Sequence, residues 1–294
     1  MSTTCGSGWS TERSMNLILA SAADSAALNL RDRMLELGDW HVEGEFQGTP
    51  AWRLASGDDF CTAGTRMATL GELHLHAEHV DREWEELTGE APECIAFLSR
   101  HKSASGRPSL TVHPVGNWGA ADYGGTPGAV SGTAPEWMTG LLLAISRTAP
   151  DGYQVCFEAT HHGPLLETPA FFVEIGSDES RWELREPAEV LARALLELKP
   201  ASGVPLVGIG GGHYTPRFSD VALLREACFG HMVPKYALEH LTPELLQSAL
   251  EHSGARAIYL HRKGMPKSAV TRWREWAEAE NIVVVSSQEL PKRA

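Results

Sequence analysis

The sequence predicts an α/β protein, a three-layer α/β/α sandwich around a mixed, largely parallel sheet. Three observations predict it. Short apolar runs bounded by polar turns recur along the whole chain and read as buried strands. Amphipathic stretches of helical length alternate with them, the pattern of βαβ units. At 294 residues and 43% hydrophobic content, the chain is long enough to bury a substantial core, and it carries no internal repeat. Residues 1–15 are small and polar and read as a disordered lead-in. Residues 16–294 read as a single domain, with a small hairpin-rich insertion near 39–70.

Strands are predicted at Asn16–Ala20, Leu73–His76, Cys94–Leu98, Leu110–His113, Tyr153–Ala159, Phe171–Ile175, Leu206–Ile209, Ile258–His261 and Ile282–Ser286. The first predicted helix, Asp24–Leu37, opens on Asp as a cap and ends at Gly38. Pro135–Arg147 has Pro in its first turn and apolar residues at Trp137, Met138, Leu141, Leu142 and Ile145. Pro187–Leu198 repeats that pattern. Thr242–His252 combines a Thr cap, Pro243 at the first helical position and Glu244 in the first turn. Lys267–Glu280 is strongly charged and closes near Asn281.

Composition narrows the class. No apolar run approaches the roughly 20 residues of a membrane helix, and the N-terminus has no apolar secretory core. The five cysteines are scattered without a CxxC, which fits reduced core thiols and a cytoplasmic protein. A net charge of −13 argues against a general nucleic-acid coat, so neither DNA nor a membrane is an expected partner, although a local basic patch for one RNA end is compatible with it.

Four polar clusters follow apolar runs: Ser99-Arg100-His101-Lys102-Ser103; His113-Pro114-Val115-Gly116-Asn117; Glu158-Ala159-Thr160-His161-His162-Gly163-Pro164; and Gly208-Ile209-Gly210-Gly211-Gly212-His213-Tyr214. Parallel strands bring their C-terminal ends together, so the histidines of these clusters are expected to share one cleft. Glu and His are the side chains best suited to proton transfer or metal ligation near neutral pH. The glycine run fails the dinucleotide fingerprint because His213 and Thr215 stand where glycines are needed. Its consecutive backbone N–H groups still suit an anion or oxyanion. His74-Leu75-His76-Ala77-Glu78-His79 has H-x-H spacing, which on a strand points both rings to one face and suits zinc; exposed histidines on an edge strand are the commoner outcome. No HExxH, PCxxC or GxSxG occurs.

Taken together, these clusters resemble the archaeal- and plant-type D-aminoacyl-tRNA deacylases, formerly D-tyrosyl-tRNA deacylases. The resembling segments also include Glu174-Ile175-Gly176-Ser177 with Glu179 and Trp182, and Pro216-Arg217-Phe218 after the glycine run. The resemblance runs from about Asn16 to near the C-terminus. It implies a monomeric, zinc-containing hydrolase that cleaves the ester between a D-amino acid and the 3′ end of tRNA, on a phosphorylase/hydrolase-like three-layer fold.

Under that resemblance the catalytic candidates are Glu158, His161 and His162, with the base assigned to Glu158 or His161. On ligand chemistry alone, zinc is assigned to members of the set His101, His113, His162 and His213. Arg100, Lys102 and Arg217 are candidates for phosphates at the acceptor end, and Gly163, Gly210, Gly211 and Gly212 for substrate contact. Two other readings compete: a zinc amidohydrolase or peptidase acting on small peptides, and a non-catalytic module that binds tRNA ends.

Overall fold

The structure, a computed structural model, describes residues 15–293, so all of the predicted lead-in except Met15 lies outside the described residues. The chain opens with β1 (Asn16–Ser21), buried along its length. Helix α1 (Ser25–Leu37) follows. The Asp24 carboxylate accepts from the Ala26 and Ala27 amides, and Ala26, Ala27, Leu30 and Met34 form its buried stripe. Residues 39–70 form a hairpin, β2 (Trp40–Phe46) and β3 (Thr49–Leu54), that leads into β4 (Arg66–Leu70). Helix α2 (Val80–Thr88) ends at Gly89 in the left-handed conformation. Next come β5 (Cys94–Lys102), β6 (Ser109–Pro114), a short ribbon of β7 (Gly116–Asn117) and β8 (Ala129–Val130), and α3 (Pro135–Thr148). The second half contains β9 (Gln154–Phe157), β10 (Ala170–Ser177), α4 (Glu179–Trp182), α5 (Arg185–Leu196), β11 (Val204–Ile209), α6 (Pro216–Leu224), β12 (Ala227–Val233), α7 (Pro243–His252), β13 (Ala257–Leu260), α8 (Lys267–Ala279) and β14 (Val283–Val285).

Eight strands form a mixed sheet in the order β2-β3-β4-β1-β5-β10-β6-β9, whose centre, β4-β1-β5-β10, is parallel. Four more form a separate parallel sheet, β12-β11-β13-β14. Strand periodicity sorts the large sheet's two faces. Ile18, Ala96, Leu98, Phe171 and Val173 pack with Leu30 and Met34 of α1, Leu141 of α3 and Leu191 of α5. Leu17, Leu19, Ile95, Phe97 and Phe172 face the other way, onto Val80 and Trp84 of α2. A parallel sheet buried on both faces needs this covering, and each fully buried Leu, Ile or Phe contributes about 1.5–3 kcal/mol. No described helix is long and apolar enough to cross a membrane.

Two readings of local structure are corrected. Residues 74–76 form a short 3-10 turn, not a strand, so the two rings diverge. His74 is buried beside Phe97 and Phe172, where burial pushes its pKa down to about 3, and His76 is exposed. The predicted strand Tyr153–Ala159 ends at Phe157, and the chain then crosses between sheets. The Glu158 amide still donates to Val112 O of the large sheet (3.1 Å), but the Thr160 amide donates to Met232 O of β12 (3.0 Å).

His231 of β12 fastens this crossing. Its Nε2 donates to Ser131 O (2.9 Å), so its Nδ1 accepts from the Thr160 hydroxyl (3.2 Å). Burial pushes its pKa down to about 3. Between about pH 6.5 and 3 the unfolded chain therefore takes up a proton that the folded one refuses, and stability falls as pH falls through that window. His231→Gln keeps a donor and an acceptor but does not titrate there. We expect it to be less stable at pH 7 by about 1–3 kcal/mol. From pH 6 to 4 its stability should fall less steeply, by up to about 1.4 kcal/mol per pH unit. Urea titrations at several pH values test this; parallel stability–pH curves would contradict it.

Candidate active site

The sequence expects the histidines to meet because parallel strand ends converge. They do meet, for a different reason. β6 runs antiparallel to β10, and β9 follows β6, so the ends carrying His101 and His113 point in opposite directions. The site forms instead over one face of the sheet, where alternate residues of neighbouring strands overlap. β10 lies between β5 and β6. Its Glu174 is in register with Ser99 and Thr111, and its Phe172 with His113. The segment after β9 covers this face and adds Glu158, His161 and His162, while the turn after β11 adds His213.

Six expected residues are thereby gathered. The His113 ring lies 4.2 Å from that of His161 and 4.9 Å from that of His162, and His161 lies 4.6 Å from His213. Glu158 is fully buried. Its Oε1 is 3.1 Å from His101 Nδ1, and its Oε2 is 2.9 Å from His213 Nε2 and 3.6 Å from His161 Nε2. Glu174, which carried no assigned role, bridges the groups: it lies 3.4 Å from His101 Nδ1 and 3.5 Å from His113 Nε2. The available signal was an acid inside the apolar run Ala170–Ile175, where an unpaired charge is costly.

Backbone carbonyls decide three tautomers. Nδ1 of His113 donates to Pro114 O (3.0 Å), that of His161 to Ala159 O (2.8 Å), and that of His162 to Gly163 O (2.8 Å). A carbonyl only accepts, so each Nδ1 carries a proton; the neutral rings of His161 and His162 then present a lone pair at Nε2, while His113 Nε2 faces Glu174 Oε1 at 3.5 Å. One ligand atom from each of the three lies within 4.8 Å of the others, and His113 Nε2 is buried with no hydrogen-bond partner. Three imidazoles oriented from their far nitrogens are a donor set that, with each Nε2 unprotonated, fits zinc. His101, Glu158 and His213 form a second group of the same kind. The four-histidine set is therefore divided: His113 and His162 stand with His161, and His101 stands with His213.

The charges are consistent with this division. Burial lowers His161 well below its ordinary value, and the neighbouring His113 and His162 add to the effect; burial and His113 bring His162 down to about 4. Burial also works against the charged form of His101, but Glu158 and Glu174 outweigh it and raise the group to about 11. His113 is raised in the same way, chiefly by Glu174, which makes it a more basic ligand. Both carboxyls are held below the usual range although burial opposes it, Glu158 chiefly by His101 and His213, and Glu174 by His113 and His101. Two carboxylates thus hold His101 charged between them, Glu174 also faces His113, and His161 and His162 beside them are neutral.

The remaining sequence candidates separate. A cleft of about 530 Å³ opens on His101, His161, His162 and His213, and Arg100 and Lys102 line it. The Arg100 guanidinium stacks over Trp182 at 5.1 Å. Arg217 is elsewhere, donating to the Tyr259 hydroxyl (2.9 Å) and Ser287 Oγ (2.8 Å) in a neighbouring cleft. Gly163 is buried with its α-carbon against Gly124 and Gly125, where a Cβ would strike backbone, so it is a packing glycine; its bond to Pro164 is cis. The expected glycine cradle is also corrected. The Gly210 amide donates to Val233 O (2.8 Å) and the Gly211 amide to Gly264 O (3.0 Å), which leaves only Gly212 with an amide outside this pairing.

The model of the D-aminoacyl-tRNA deacylase family matches residues 88–285. A D-aminoacyl-tRNA deacylase of Thermococcus kodakarensis is 37% identical over 276 residues, covering 91% of this chain and 97% of the relative. One from Archaeoglobus fulgidus is 35% identical over 287 residues, covering 95% and 98%. The crystal structure of a conserved protein of unknown function matches with a TM-score of 0.84 at 32% identity, covering 96% of this chain and 99% of that one. With the resemblance seen in the motifs now extending over nearly its whole length, the chain belongs to the D-aminoacyl-tRNA deacylase family.

Proposed function

We propose that this chain hydrolyses the ester joining a D-amino acid to the 3′ end of tRNA, releasing free D-amino acid and tRNA. The observation that carries the reading is the convergence, at one cleft of a chain of this family, of three histidines anchored through Nδ1 with a carboxylate-held fourth. His113, His161 and His162 would hold zinc through Nε2. When bound, the metal supplies Lewis-acid polarisation and lowers the pKa of water towards about 7.

The base, left between Glu158 and His161 by the sequence, is better met by a Glu158–His213 pair. Glu158 is enclosed by imidazoles, and His161 belongs to the ligand triad. His213 is partly exposed; its Nε2 lies 2.9 Å from Glu158 Oε2, and its Nδ1 is bonded to the Tyr236 hydroxyl (3.3 Å). The carboxylate fixes the tautomer and stabilises the imidazolium that forms when His213 takes a proton from water. His101, charged between the two carboxylates, keeps Glu158 ionised for that role. Lys102 and Arg100, at the wall of the same cleft, would contact the acceptor end. The reading includes a monomer working in the cytoplasm, in keeping with the buried free thiols of Cys61, Cys94, Cys156 and Cys228.

Incubation with D- and L-tyrosyl-tRNA, with and without chelator, tests this. Tyrosine should leave the D-ester and not the L-ester, and dialysis against chelator should lower the rate by about 100-fold or more until zinc is restored. Equal release from both esters, or none from either, would overturn the deacylase reading. Chelator-resistant release of D-tyrosine would overturn the metal assignment alone.

A further inference from the structure

We infer that the phosphate backbone of the tRNA acceptor stem lies along the C-terminal rim of the four-stranded sheet, on cations around the loop between β13 and α8; this rests on the function proposed above. The chain has 25 Lys and Arg against 38 Asp and Glu. Its charges are not evenly mixed. Residues 252–274 carry six cations, at Arg256, Arg262, Lys263, Lys267, Arg272 and Arg274, and no acid. Segregation of this kind, in an acidic protein, marks a surface for a polyanion.

The fold puts much of that charge in one place. All four strands of this sheet are parallel, so their C-terminal ends share a rim, the edge at which open α/β sheets take ligands. β11 ends at the Gly210–Gly212 turn, β12 leads to Lys235 and Tyr236, and β13 leads to His261, Arg262 and Lys263. Two clefts of about 700 and 710 Å³ flank the His261–Lys263 loop, and both are lined by His261 and Lys263. The first also holds Gly212, Lys235 and Tyr236. The second holds Arg217 and Arg274.

The row of cations reaches the chemistry. Tyr236 lines the first cleft, and its hydroxyl bonds His213 Nδ1. Gly212, the turn residue with an uncommitted amide, precedes His213. Lys235, Arg262, Lys263 and Arg274 are exposed and take part in no ion pair among the described residues, whereas Arg185 and Arg193 on α5 are paired with Glu36 and Glu189. The one acid lining the two clefts, Glu289, is tied to the Ser286 amide (2.8 Å) and hydroxyl (2.6 Å). Arg217 is already oriented by Tyr259 and Ser287. A single nucleotide would occupy one such pocket. Cations spaced along two adjoining clefts match the repeated charge of a nucleic-acid strand leading away from its reactive 3′ end.

The test is a salt titration of uncharged tRNA binding, which does not depend on hydrolysis. Arg262→Ala/Lys263→Ala/Arg274→Ala should bind at least about 30-fold more weakly near 150 mM salt. Its slope of log affinity against log salt should be shallower by about 2–3, because each lost phosphate contact removes roughly 0.7–0.9. With D-tyrosyl-tRNA as substrate, the loss should appear in KM. Arg147→Ala/Arg193→Ala/Lys199→Ala, equal in charge but on α3 and α5 of the other sheet or just beyond, should stay within about threefold of the parent. Unchanged affinity and slope in the rim variant, or an equal loss in the charge-matched one, would overturn the inference. Parent protein that binds tRNA at the rim yet releases no D-tyrosine would overturn the functional reading and leave the surface standing.

Discussion

His162→Ala should lower D-aminoacyl-tRNA hydrolysis by at least about 100-fold while leaving the protein folded. The ring is partly exposed, packs edge-on against Phe172 at 4.9 Å, and presents Nε2 to the triad. Its backbone sits at φ +48°, a region His adopts more readily than Ala, so thermal melting must accompany the rate. His113 makes a poorer probe. It is fully buried and stacked on Phe172 at 4.9 Å with an interplanar angle of 1°, so His113→Ala confounds chemistry with a core cavity of a few kcal/mol. Rate, zinc content and thermal melting are measured together. Full activity in a folded His162→Ala protein would remove this residue from the site, and a protein that fails to fold would show that its role is packing.

Much of this was legible because the relevant physics is local. Strands with apolar runs and helices with an Asp or Thr cap and Pro in the first turn declare themselves within a few residues, and α1, α3, α5, α7 and α8 lie close to their expected bounds. The histidine clusters were legible for a similar reason, since polar residues that interrupt apolar runs are conspicuous. What escaped depends on partners distant in sequence. β12 was missed because Gly230 and His231 interrupt its apolar run, and only the contacts with Thr160, Ser131 and Ser253 explain why a histidine is tolerated there. The direction of β6 is set by its pairing with β10, so its antiparallel course could not be read from Leu110–His113. The Gly210 and Gly211 amides look free in the sequence and are spent on Val233 and Gly264 in the fold. Glu174 gains its meaning only when β5 and β6 come alongside β10 and bring His101 and His113 within reach of it.

The second large effect is expected at Glu158. Glu158→Gln preserves shape and removes one charge from a fully buried position. His213 Nε2 then faces an amide that can turn a donor towards it, so the tautomer that leaves Nδ1 free to accept a proton is no longer enforced. Loss of the correct tautomer in a carboxylate–histidine pair lowers turnover by up to about 10⁴, and a fall of about 10³ is expected here. Glu174→Gln should fall less, because Glu174 faces His101 and His113 and leaves the His213 contact intact. Stability separates the two roles of the charge. Glu158 is held below its ordinary value, so its contribution is present above about pH 4.5 and is lost as pH falls further. His101 is raised, so its contribution is present below about pH 6.5 and fades as pH rises towards about 11. The parent should therefore exceed Glu158→Gln most clearly between about pH 4.5 and 6.5, by about 3 kcal/mol on the scale of a broken buried ion pair. The gap should narrow below about pH 4.5, where the carboxylate of the unfolded parent takes up a proton that the folded one refuses. Urea titrations across pH, with tyrosine release at pH 7, read both effects. Activity within tenfold of the parent would exclude Glu158 from the proton path, and a stability gap that persists at pH 3 would show that its shape matters more than its charge.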